Sequence, residues 1–460
     1  MITIDMELQP RDLVAAIEAT WSLAGDKIRS IQASSHEIGG TPVFTIDGRY
    51  VAQGWTEWTQ GFQYGAAILQ FDATDEVEFL DLGRDSTIAQ MASHITHIGV
   101  HDHGFNQVST YGNLLRLMRE GRIAFSEREQ DLYELALKAS GAVQAARWTA
   151  TSENQGYIHS FNGPHSLFCD TIRSLRALAL SHRLGHTLWG ENDLQISLLE
   201  RLIQHATATA KYNVYYGEQR DTYDVWGRVS HESIFNVTNG QYRCPSTQQG
   251  YSPFTTWTRG LSWIMAGYPE LLQFLATVDD HELSPLGGRE AIEAIMLRAA
   301  MASCDFYLEN SPTCGIPYWD TGAPGLSRMN QPLDCPADPF NRFEPVDSSA
   351  AAIGVQGLLR LGQLLRSSNP EAANRYWQAG LTVLQNLLRE PYLSTSREHQ
   401  GLLLHTIYHR PRGWDHTPAG ASIPQGESCM WGDYHLMEAC LYVERVAKGL
   451  PEFTFFGPSD

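Results

Sequence analysis

Two aspartates stand in settings that suit proton transfer. The first belongs to His101-Asp102-His103-Gly104-Phe105, preceded by His94 and His97. Four imidazoles and a carboxylate so close together invite a metal, since both are common zinc ligands, but the spacing matches no strong zinc pattern and no cysteine joins it. A carboxylate between imidazoles in a glycine-bearing loop is equally able to hydrogen-bond sugar hydroxyls, or to hold its own loop. The second belongs to Cys169-Asp170-Thr171-Ile172-Arg173-Ser174-Leu175, at the start of a helix that Gly185 is placed to end. As an N-cap, Asp170 would stabilise that helix by about 1 kcal/mol. The helix N-terminus would also lower its pKa, which opposes acid catalysis unless burial or another carboxylate raises it. Asp102 brought alongside would supply that like charge and push the two acidities apart.

Around these acids the chain sets aromatic rings beside polar groups. Trp55-Thr56-Glu57-Trp58 places two indoles three residues apart, either as core or as platforms for the C–H face of a sugar. The stretch from Ser230-His231 through Gln248-Gln249-Gly250-Tyr251 to Trp257-Thr258-Arg259-Gly260-Leu261-Ser262-Trp263 puts Arg259 between indoles. Its guanidinium could grip a carboxylate there, or make a structural ion pair or cation–π contact. Pro317-Tyr318-Trp319-Asp320, Asp347-Ser348-Ser349 and Trp431-Gly432-Asp433-Tyr434-His435 repeat the theme of an acid beside aromatics or at a helix start, and Asp347 reads most simply as an N-cap.

Helices must carry these segments. Apolar residues recur at helical spacing, as in Leu194, Leu198, Leu199, Leu202 and Ile203, or Ile353, Leu358, Leu359, Leu361, Leu364 and Leu365; residues 12–31 and 430–446 read the same way. Long loops rich in glycine, proline and aromatics separate them, at 54–65, 99–112, 217–257, 314–345 and 409–425. Loops of that length in an ordered protein are usually functional. The pattern predicts an all-α chain folded as one domain over residues 1–460, a toroid of helical hairpins with a site in the loops at one end. A helical solenoid is the alternative.

The net charge of −19 opposes nucleic acid and anionic membrane surfaces as partners, though a single pocket arginine could still bind an anionic small molecule. Seven scattered cysteines without a C-x-x-C pair favour a reducing compartment, and no basic-then-apolar leader or bilayer-length apolar run is visible. A cytoplasmic protein is expected.

Taken in order, the segments resemble glycoside hydrolase family 88, the unsaturated glucuronyl hydrolases. The resemblance covers most of the chain and is carried by Trp58-Thr59-Gln60-Gly61-Phe62, His101 to Phe105, Asp170-Thr171, His205-Ala206, Gln249-Gly250-Tyr251, Trp257-Thr258-Arg259-Gly260 with Trp263, Tyr318-Trp319-Asp320, 347–353 and Gly432-Asp433-Tyr434. It implies an (α/α)6 barrel that removes a 4,5-unsaturated uronic acid from the non-reducing end of lyase-generated oligosaccharides. It implies no metal and no cofactor. Asp170 would protonate carbon 4 of the enol ether and draw a proton from the water adding at carbon 5, after which the hemiketal opens and releases the remaining sugar. One acid and one activated water suffice for a vinyl ether, so the carboxylate spacing rule for ordinary glycosidases does not apply.

By the same resemblance Asp102 would bind ring hydroxyls and tune Asp170. His231 and Gln249 would hold the water or the carboxyl end, Arg259 would lie near the uronate, and Trp58 and Trp263 would be walls, with His101 also in contact with substrate. Leu261-Ser262 stand where the family often has Gln-Ala, and Arg173 and Arg176 make the segment after Asp170 more basic than usual. With His103, these arginines are expected to serve a different sugar or to face solvent. The competing readings are a hydrolase of unsaturated galacturonyl-rhamnose, displacement on an intact sugar, and a non-catalytic carbohydrate-binding toroid.

Overall fold

The structure is a computed structural model that describes residues 1–54, 57–153 and 155–457, without the side chains of His36 and Glu57. Trp55 and Thr56 of the first aromatic cluster lie outside the described residues.

Helices that keep an exposed face alternate with helices buried nearly all round, and this alternation builds the fold. The pairs are α1 (Val14–Ala33) with α2 (Gln60–Thr74), and α3 (Val77–Gln90) with α4 (His103–Gln107), which runs through a π turn into α5 (Asn113–Arg119). Next come α6 (Glu127–Ala146) with α7 (Thr171–Ser174) and α8 (Arg176–Arg183), then α9 (Leu198–Tyr212) with α10 (Thr258–Leu275). The last two pairs are α11 (Arg289–Asn310) with α12 (Ser348–Leu364) and α13 (Pro370–Leu387) with α14 (Met430–Ala447). The inner members pack in sequence order around a ring, and α14 returns to α2 to close it. Among the described residues, six outer helices alternate with six inner positions, two of them interrupted (α4 with α5, α7 with α8), and this forms the expected (α/α)6 barrel.

The expected opening helix, the helix ending before Gly185 and the final helix are all present, and Gly185 adopts the left-handed φ of 71° that favours glycine. Leu194 departs from expectation. It precedes α9 on an exposed turn instead of joining its apolar stripe. No helix among the described residues is long and apolar enough to cross a membrane.

Small sheets fasten the loops. Strands Ser166–Phe168, Glu232–Phe235 and Tyr242–Ser246 form one antiparallel sheet, with Phe168 opposite Glu232 and Glu232 opposite Ser246. That register brings the chain leaving the first strand, Cys169-Asp170, alongside His231, and the Cys169 N–H donates to the His231 carbonyl at 2.9 Å.

The barrel axis is filled by charge. Arg173 and Arg176, on the third inner helix, are both about 1% exposed, so they neither face solvent nor reach the site loops. Arg173 pairs with Glu270 of α10, and with Glu438 of α14 at 3.1 Å. Arg176 lies 3.7 Å from each of the same carboxylates, and Arg360 of α12 lies 3.9 Å from Glu270. His103 is likewise structural, bonded to Ser140 Oγ at 2.7 Å and to the His97 carbonyl at 3.0 Å. Both expectations for these three residues are overturned for the same reason: each side chain meets buried partners contributed by distant helices.

Candidate active site

The starts of the inner helices meet at one end of the barrel. Trp58 precedes α2, His101 and Asp102 precede α4, Asp170 precedes α7, Trp257 and Arg259 open α10, Asp347 caps α12, and Trp431 opens α14. A cavity of about 580 Å³ lies among them. Trp58, His101, Asp102, Asp170, Gln249, Arg259 and Trp263 line it, so seven of the eight residues singled out in the sequence come together. Helix N-termini carry partial positive charge, and gathering them around one cavity favours an anionic occupant.

His101 bridges the two acids. Its Nε2 lies 3.2 Å from Asp170 Oδ1 and 3.7 Å from Asp102 Oδ1, and all three residues are buried. Burial would raise the Asp170 pKa, but the hydrogen bond from His101, with the charges of His101, His231 and Arg259, outweighs it and holds this carboxyl below its usual range. Burial pushes Asp102 up, aided by the charge of Asp170 and opposed by His101. His101 would be lowered by burial, yet the two carboxylates lift it above its ordinary value.

The two acidities are thus pushed apart, with Asp170 lowered and Asp102 raised, because the cation between the acids bonds directly to Asp170. The N-cap role for Asp170 is also set aside. Its side chain makes no capping bond and turns to His101 instead. Asp347 does cap, accepting from the Ser349 N–H at 3.1 Å.

Arg259 is held by protein on several sides. Its NH1 donates to Asp347 Oδ2 at 2.8 Å and to the Ile407 carbonyl, and its NH2 donates to Gln249 Oε1 at 3.1 Å and to the Tyr408 carbonyl at 2.6 Å. Trp257 and Trp431 flank it, with ring centres 4.7 and 5.0 Å away. The guanidinium thus lines the cavity as a fixed positive charge whose geometry is set before any ligand arrives. His231 sits behind the wall. Its Nδ1 accepts the Gln248 and Gln249 N–H groups at 3.0 and 3.3 Å, so its proton is on Nε2, and burial lowers its pKa.

The other acids found beside aromatics clamp loops. Asp320 accepts from the Tyr251 and Gly322 N–H groups, and Asp433 from those of Leu402 and Leu403 and from the Tyr50 hydroxyl. Asp102 and Asp170, by contrast, border the cavity. The clustered histidines part ways, His94 turning to Gln60 and Asn106. Among the described residues, the one group spaced to hold a metal is Asp47, His416 and Glu427, which lies away from this cavity with Asp47 exposed. Sequence reasoning did not single out Val100, Phe161, Gln248, Tyr408 or His409 as wall residues.

Close packing fixes the two acids relative to each other. Gly104 N donates to Ser174 Oγ at 2.9 Å, Ser174 Oγ donates to the His101 carbonyl at 2.7 Å, and Gln144 bonds both. A Cβ on Gly104 would lie 2.1 Å from the Ser174 carbonyl oxygen, so α4 and α7 could not stay where they are. Gly104→Ala is expected to cost about 1–3 kcal/mol through overpacking, read as a fall in the thermal midpoint. An unchanged midpoint would show that the two helices separate freely.

No family model matches the chain. A curated relative, the unsaturated glucuronyl hydrolase of Bacillus sp. strain GL1, is 25% identical over 441 residues, covering 93% of this chain and 98% of its own. The unsaturated chondroitin disaccharide hydrolase of Streptococcus pyogenes serotype M1 is 23% identical, covering 94% and 92%. The chain is a homologue of the unsaturated glucuronyl hydrolases. The crystal structure of the Bacillus sp. GL1 unsaturated glucuronyl hydrolase shares the fold with a TM-score of 0.68 at 21% identity, covering 92% of this chain and 96% of that one. A structure described as an unsaturated glucuronyl hydrolase specific for heparin gives 0.69 at 18% identity, covering 95% and 98%. Glucuronyl hydrolase relatives thus align along nearly the whole chain.

Proposed function

We propose that this protein is a glycoside hydrolase that removes a 4,5-unsaturated uronic acid from the non-reducing end of lyase-generated oligosaccharides by hydrating the enol ether. The observation that carries the reading is the Asp102–His101–Asp170 cluster on the wall of an aromatic cavity. Relatives described as acting on unsaturated glucuronyl and chondroitin disaccharide substrates support it.

In this reading each part of the reaction falls to a named group. Asp170, ionised, takes a proton from the attacking water, and its held-down pKa keeps it in that state. The proton bound for carbon 4 is stored on the His101–Asp102 pair, whose affinities are raised, and passes through Asp170 by the 3.2 Å hydrogen bond. The cluster gives one proton to carbon 4, the water oxygen bonds to carbon 5 and keeps one of its protons as the new hydroxyl, and the proton Asp170 takes from water replaces the one given up, so the cluster ends with the protons it began with. The hemiketal then breaks its carbon 5–ring oxygen bond to give a ketone, and the hemiacetal left at carbon 1 sheds the remaining sugar. Trp58 and Trp263 supply apolar faces for the sugar rings, and Arg259 with the helix N-termini supplies the field for the uronate. Seven free thiols suit a reducing, cytoplasmic setting.

Wild-type protein is expected to abolish the ultraviolet absorbance of the conjugated double bond in at least one of a panel of lyase-generated disaccharides. In deuterium oxide the product should carry deuterium at carbon 4. Turnover without that label would replace hydration by displacement at the anomeric carbon, and no turnover on any member would leave a carbohydrate-binding toroid.

A further inference from the structure

We propose that His409 is a substrate-binding residue that exchanges a hydrogen bond with a hydroxyl of the sugar seated in the cavity, an assignment that rests on the activity proposed above. His409 is 3% exposed and lines the cavity wall, yet among the described residues neither Nδ1 nor Nε2 has a hydrogen-bond partner beyond its own backbone. That sets it apart from the other buried histidines among the described residues. His101 meets Asp170, His103 meets Ser140, and His94 meets Gln60. His205, His231, His405 and His435 each engage Nδ1 with backbone. A buried polar group left without a partner costs about 1–3 kcal/mol, so a fold retains one where something else completes it.

The ring is also held ready. Trp414 packs against it with centres 4.9 Å apart, and Asp415 accepts the backbone N–H groups of both Tyr408 and His409. Burial, with Arg412 and Arg259 nearby, pushes the imidazole pKa down to about 3, so it stays neutral and presents one donor and one acceptor. That chemistry fits a hydroxyl rather than the uronate charge, which Arg259 faces. Gln248 Nε2, also without a partner among the described residues, offers a second donor in the same cavity.

The test is steady-state kinetics of wild type, His409→Phe and His409→Asn on the disaccharide that wild type turns over best, with thermal midpoints alongside. Phenylalanine keeps a ring against Trp414 and removes the polar atoms; asparagine restores a donor and an acceptor. The phenylalanine variant is expected to raise KM about fivefold to tenfold with kcat within threefold of wild type, and the asparagine variant to return KM to within threefold. If the phenylalanine protein does not fold, His409→Ala is read in its place. A KM within twofold of wild type without the imidazole overturns the assignment. So does an asparagine variant no better than phenylalanine, since the loss would then belong to ring shape. Failure of the activity itself is distinguishable, because it shows in wild-type protein that turns over none of the panel.

Discussion

Asp170→Asn should lose about 10³-fold or more in kcat while still binding the unsaturated disaccharide, because the amide keeps the shape of the carboxylate and loses its capacity to hold and pass a proton. Binding is readable from tryptophan fluorescence, since Trp58, Trp257 and Trp263 all border the cavity. The same cluster fixes the pH profile of the wild-type enzyme. Activity needs Asp170 ionised and a proton stored beside it. On the acid side the rate falls only below the ordinary carboxylate value of 3.8, because Asp170 is held under it. On the alkaline side it falls above the ordinary histidine value of 6.5, because His101 is lifted above it. A variant that keeps a tenth of wild-type kcat, or a profile with no alkaline fall up to pH 9, would remove the cluster from the mechanism.

The sequence made the barrel legible through two separable signals. Apolar periodicity located the helices, and the acid-plus-aromatic segments marked where several inner ones begin: Asp102, Asp170, Asp347 and the Trp431–Asp433 run all stand at helix starts on the cavity side of the ring or in the loops behind it. What the spacing could not say is which of these acids faces the cavity and which clamps a loop. Asp320 and Asp433 look like Asp170 in sequence, and only the backbone N–H groups they accept distinguish them. Nor could it order the two acidities, since that depends on His101 lying closer to Asp170 than to Asp102. His409 carried no signal because its meaning is an absence of partners, visible once every neighbouring donor and acceptor has been placed. Arg173 and Arg176 were misread for a general reason: arginines are rarely fully buried unless paired, and the partners Glu270 and Glu438 are remote in sequence.

Those partners lead to the second large effect expected, on stability. The axis holds three arginines, Arg173, Arg176 and Arg360, against two carboxylates, Glu270 and Glu438, contributed by four inner helices. Burial would raise the Glu438 pKa, but Arg173, Arg176 and Arg360 outweigh it and hold the carboxyl below its ordinary 4.5. Removing that charge by Glu438→Gln leaves buried cations short of a counter-charge, a loss of about 3–5 kcal/mol. For a chain of this length that corresponds to roughly 3–5 °C in the thermal midpoint, at about 2.1 cal/mol/K of unfolding entropy per residue.

The sign of the pH dependence follows from the depressed pKa. The stabilisation is fully present above the unfolded carboxylate value and is lost as pH falls through the folded one, so wild type and variant should converge in acid. Arg176 identifies the compensating change, since burial first and then the charge of Arg173 lower its pKa, making it the cation least favoured in the cluster. Adding Arg176→Met to Glu438→Gln should therefore recover at least about 1 kcal/mol relative to the sum of the single effects. Additive losses, or a Glu438→Gln protein as stable as wild type at neutral pH, would mean that the axial charges are solvated by something other than one another.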